Sequence, residues 1–91
     1  MRVRWTALAS QDLTRIARFI RQDNPTAALE VAKTLYDGCM SLADNSHRGR
    51  KGKKAGTREL VFPKLPYLAV YRLTGDVIEI LRIWHGAQQR D

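Results

Sequence analysis

Two apolar seams of helical period follow one another almost without a break, and this adjacency restricts the chain more than any other feature. Ala9, Leu13, Ile16 and Ile20 recur at spacings of 4, 3 and 4, with Ala17 beside them. Ala28, Ala32, Leu35, Cys39 and Leu42 recur at 4, 3, 4 and 3. Each set lies along one face of an α-helix. Thr6 stands where an N-cap belongs, and Asn24-Pro25 supplies a second cap followed by the residue best suited to a first helical turn. Helices joined this closely must run antiparallel and pack along their seams. Arg15, Arg18 and Arg21 fall on other faces of the first helix. Gly38 inside the second should cost about 1 kcal/mol relative to alanine.

The rest of the chain reads as strands. Arg2 to Trp5 is a short first strand ahead of the hairpin. Thr57–Phe62, Tyr67–Leu73 and Val77–Trp84 follow it, the last two joined through Thr74-Gly75-Asp76, with the glycine of a tight hairpin turn. The order is β-α-α-β-β-β. This predicts one α+β domain over residues 1–91, an antiparallel sheet with the helical hairpin packed on one face. Leu68, Val70 and Arg72 form the more apolar side of their strand and are expected to face the core. The last strand is apolar on both sides, with Ile78 and Ile80 on one and Val77, Leu81 and Ile83 on the other. That pattern calls for an interior position or a partner on the second face. The tail from His85 to Asp91 is polar.

Charge is the second constraint. Sixteen Lys and Arg against nine Asp and Glu give a net charge of +7, which favours acidic partners. Five of the cations, Arg48, Arg50, Lys51, Lys53 and Lys54, lie within seven residues of a glycine-punctuated stretch, predicted to be a loop. A single cysteine excludes an intramolecular disulfide framework. No apolar run reaches the ~18 residues of a membrane span, and charges interrupt any signal-peptide core, so a cytoplasmic protein without a membrane partner is expected. Cys39, His47 and His85 lack metal-ligand spacing, and no phosphate-binding or nucleophile-elbow motif occurs, so neither metal nor cofactor is expected.

Trp5 ahead of a helix with Asp12-Leu13 and Ile16 begins a longer string of recognisable residues. Asp23-Asn24-Pro25 with Ala27-Ala28, Gly49-Arg50 and Gly56-Thr57-Arg58-Glu59-Leu60 continue it. Leu65-Pro66-Tyr67 with Val70-Tyr71-Arg72, then Ile80-Leu81-Arg82-Ile83 with His85-Gly86-Ala87, complete it. From Arg4 to about Gln88 the chain resembles toxins of type II toxin–antitoxin systems in the RelE/ParE superfamily, often called plasmid stabilisation proteins. The resemblance implies a cognate antitoxin whose C-terminal segment wraps the toxin. It implies one of two targets: DNA gyrase for ParE-like members, or messenger RNA in the ribosome for RelE-like members. Only the second would make the chain an enzyme, an endoribonuclease. Leu68 stands about where ribosome-dependent members carry an arginine, and the Pro66-Tyr67 and His85-Gly86-Ala87 wording is closer to ParE-type sequences. The gyrase reading is therefore preferred.

Metal-free RNA cleavage would need a base, a proton donor and a cation for the phosphorane. His85, Arg58, Arg82 and Tyr71 supply those groups. The expected contacts with target or antitoxin are the five loop cations together with Arg58, Tyr67, Arg82, Trp84 and His85. The antitoxin segment is expected to be acidic, to match the charge of the toxin.

Overall fold

A computed structural model describes residues 1–86. Of the polar tail, residues 87–91, including Ala87 of the His85-Gly86-Ala87 string, lie outside the described residues. Strand β1 (Arg2–Trp5) leads into helices α1 (Ala7–Arg21) and α2 (Pro25–Met40), followed by one 3-10 turn at Ser41–Ala43. Strands β2 (Arg50–Lys51), β3 (Thr57–Val61), β4 (Tyr67–Thr74) and β5 (Val77–His85) complete a five-stranded sheet in the order β1-β5-β4-β3-β2. The α+β class and the helical hairpin agree with the sequence reading. Both caps form: the Thr6 hydroxyl accepts from the Ala9 N–H at 3.1 Å and the Asn24 side chain from that of Ala27 at 3.0 Å. Each satisfies one of the N–H groups a helix start leaves free.

Three expectations are corrected. The sheet is mixed rather than antiparallel, because β1 lies parallel to β5, in register from Arg2 opposite Val77 to Trp5 opposite Ile80. The basic stretch contains a strand, β2, antiparallel to β3 with Arg50 opposite Glu59. And the core-facing side of β4 is Tyr67, Ala69, Tyr71 and Leu73, not Leu68, Val70 and Arg72. Counting apolar residues misjudged that strand because Tyr71 is amphipathic. Its ring is wholly buried while its hydroxyl end is hydrogen-bonded.

The core joins Ala9, Leu35, Cys39 and Leu42 of the helical layer to Leu60, Phe62, Ala69, Tyr71, Ile78, Ile80 and Ile83 of the sheet. Ile83 reaches it through a register shift between β4 and β5. Val70 pairs with Arg82 and Tyr71 with Ile80, so Leu81 is extra and everything beyond it changes face. The last strand is interior, between β1 and β4. Gly38 has a packing reason, since a Cβ there would overlap the Phe62 ring. Burial pushes the Cys39 thiol up to about 12, as expected for a thiol with no water to solvate its anion.

Where β1 ends, α1 takes over the outer edge of β5. The Thr6 N–H and hydroxyl donate to the Ile80 carbonyl at 3.1 and 2.9 Å, the hydroxyl also to that of Leu81 at 3.1 Å. Nearly two turns further on, the Asp12 carboxylate accepts from the Ile83 N–H at 2.9 Å. The helices leave the other face of the sheet open.

Candidate functional site

The open face carries Arg4, Glu79 and Arg72 near one end of β5, then Glu59, Val70 and Arg82, then Val61, Leu68 and Trp84 toward the other. Its charges are largely neutralised in place. Arg4 and Arg72 both pair with the buried Glu79, Arg72 through Nε at 2.8 Å. Arg50 crosses from β2 to the buried Glu59, with Nε and Nη2 at 3.1 and 3.0 Å from one carboxylate oxygen.

Asp12 organises the middle of this surface. It is 1% exposed and sits on the seam side of α1, one turn from Ala9. Its two oxygens take Arg82 Nε at 2.8 Å and Nη2 at 3.0 Å, a bidentate pair, as well as the Ile83 N–H. Arg15 approaches from the next turn at 3.3 Å. The hydrogen bonds that Arg82 donates to Asp12 hold its guanidinium above its ordinary pKa, against a smaller opposing effect of burial. So fixed, Arg82 lies 4.4 Å from the centre of the Trp84 ring, a cation–π contact. Sequence reasoning missed Asp12 as a functional residue. The available signal was an acid placed among the apolar positions of an amphipathic helix.

The residues proposed from sequence separate into three places. Arg58 and Tyr71 lie side by side and hold the start of the basic loop. Arg58 donates to the Gly49 carbonyl at 2.7 and 3.0 Å and to the His47 carbonyl at 3.1 Å. The Tyr71 hydroxyl donates to the Ser46 carbonyl and accepts from the Gly49 N–H, each at 2.9 Å. Gly49 fits because a Cβ would come within 2.7 Å of the Tyr71 ring.

Tyr67 and His85 meet edge to face at 5.5 Å where β4 begins and β5 ends. With Arg50, Val61 and Leu68 they line a hollow of about 400 Å³. Arg82 and Trp84 instead line a second hollow of about 410 Å³, together with Leu8, Val70, Leu81, Lys53 and Lys54. Arg48 hydrogen-bonds Ser41 at 2.7 Å. Lys51 is exposed on β2. Among the described residues, no three His, Cys, Asp or Glu cluster as metal ligands, and no helix is long and apolar enough to cross a membrane.

The site thus sits on a five-stranded mixed sheet with a helical hairpin on one face and arginine pairs on the other. The family profile of the ParE toxin of type II toxin–antitoxin systems, parDE, matches residues 3–90. The chain belongs to that family. It is 40% identical to a Sinorhizobium fredii protein named as toxin Y4kP, over 97% of this chain and 91% of the other. It is 39% identical to Toxin RelE2 of Caulobacter vibrioides, over 92% and 93%. A chain of the chromosomal ParDE system from P. aeruginosa superposes with a TM-score of 0.87 at 28% identity, over 93% of this chain and 95% of that one. The protein is thus a type II toxin, and its family implies an antitoxin partner.

Proposed function

We propose that this toxin acts as a ParE-type inhibitor of DNA gyrase in the cytoplasm, neutralised by the acidic C-terminal segment of its antitoxin. The observation that carries this reading is the dispersal of the groups RNA cleavage would need. Arg58 and Tyr71 are committed to loop carbonyls and a loop N–H. Arg82 is clamped by Asp12, and His85 packs on Tyr67 in a different hollow. A phosphorane-stabilising cation and a proton-transfer group must converge within hydrogen-bond reach of one phosphate. The ParE family match supports the same reading.

The alternative is a RelE-type messenger RNA endonuclease. It draws support from relatives named RelE and from the grouping of His85, Tyr67 and Arg50 around one hollow. Induction in cells separates the two. Gyrase inhibition produces DNA-damage signalling, filamentous cells, intact bulk messenger RNA, and blocked supercoiling by purified protein. Codon-positioned cuts in ribosome-bound RNA that vanish in His85→Ala would establish the nuclease instead.

A further inference from the structure

We propose that Lys53 and Lys54, beside the apolar residues of the hollow at Arg82 and Trp84, form a socket that selects the antitoxin by charge. One bulky apolar side chain of an acidic antitoxin segment enters the hollow, and carboxylates beside it pair with the two ammonium groups. The inference rests on the acidic antitoxin segment proposed above and is independent of which target the toxin poisons.

Three observations carry it. Lys53 and Lys54 are exposed cations at the lip of the hollow, and among the described residues no acid pairs with them. Their position is nevertheless defined, since the Gly52 N–H donates to the Thr57 carbonyl at 2.8 Å and the Thr57 hydroxyl to the Lys54 carbonyl at 2.7 Å. Leu8, Val70, Leu81 and Trp84 line the same hollow, which gives it a surface for a hydrocarbon side chain.

The same geometry disfavours nucleic acid. Arg82 already covers one face of Trp84, so that face is closed to a stacking base. The charge of Arg82 is spent on Asp12. A second copy of the chain is disfavoured by its own +7. The recognising cations are therefore the two lysines, and Arg82 shapes the wall.

The test uses the full-length toxin and labelled peptides tiling the C-terminal half of its cognate antitoxin, read by fluorescence anisotropy. One acidic peptide with an aromatic or branched apolar residue should bind, more weakly as salt rises. Lys53→Glu/Lys54→Glu should weaken it by about 30-fold or more. The same peptide with its neighbouring carboxylates changed to lysine should regain binding to that variant, which also shows the variant is folded. Val70→Trp, which fills the hollow, should weaken the original peptide about tenfold at every salt concentration. No binding by any peptide would overturn the proposal, as would charge reversal without effect, failure of the swapped peptide to recover, or a single-stranded oligonucleotide displacing the peptide from this site. A toxin that binds and discriminates as expected yet leaves gyrase untouched would overturn only the target assignment.

Discussion

The two halves of the basic stretch make opposite use of the same charge. From Ser46 to Arg50 the chain is tied down at nearly every residue: Ser46 and Gly49 to Tyr71, Arg48 to Ser41, His47 and Gly49 to Arg58, and Arg50 to Glu59. From Lys51 to Lys54 the backbone is braced, but among the described residues the side chains have no acidic partner. The arginines occupy the first half and the lysines the second. A guanidinium offers several donors in a rigid fork and suits fixed multiple contacts. An ammonium on a flexible stem is a strongly hydrated point charge that suits a partner arriving from solution. A contiguous run of cations is thus two devices: a fastening and a recognition surface.

The largest effect should come from removing the group that makes Arg82 part of the fixed set. Asp12→Ala strands a bidentate guanidinium and a buried N–H, so we expect a loss of about 3–5 kcal/mol in denaturant unfolding. An unchanged midpoint would mean that the clamp is ornamental to folding. Tyr71→Phe keeps the buried ring and deletes both loop hydrogen bonds. We expect a loss of about 1–3 kcal/mol, with faster amide exchange at Gly49 than at Gly52. Equal protection at the two positions would erase the distinction between the halves.

Cys39 provides a pH reading of the core behind them. Its thiol is raised from 9.0 to about 12 in the folded chain, so the folded state holds its proton more tightly than the unfolded one. The corresponding stability is fully present below pH 9 and is lost as pH rises toward 12. Cys39→Ser should alter the slope of stability against pH in that window, and alkylation of Cys39 should track global unfolding. The smallest effect belongs to the recognition half. Lys51→Gln, Lys53→Gln and Lys54→Gln together should move stability by less than about 0.5 kcal/mol per site. They should nevertheless slow antitoxin association and flatten its salt dependence.

Much of this fold was legible in the residues. The helix seams, the Thr6 and Asn24 caps and the Gly75 turn are local signals, each written within a few positions and each confirmed. What escaped depends on partners far along the chain. The sequence places Arg82 beside nothing, yet its fixed position comes from a carboxylate seventy residues earlier. The facing of β4 was misread because burial of Tyr71 depends on loop atoms at Ser46 and Gly49 that accept and donate for its hydroxyl. Strand β2 has only two residues and no periodicity of its own, so only its pairing with β3 reveals it. Of the residues singled out for function, Tyr67 and His85 do meet, whereas Arg58 and Arg82 serve different contacts.

The handover from β1 to α1 along β5 has a consequence for what happens when the toxin stands alone. An uncovered strand border is a template on which other chains can pair, and it is a common starting point for aggregation. Beyond Ile80, where β1 no longer pairs, the outward hydrogen-bonding groups of β5 at Ile80, Leu81 and Ile83 are met by Thr6 and Asp12 instead. A toxin released from its antitoxin therefore meets solvent with these groups of the border already paired, which leaves fewer of them free to template another chain.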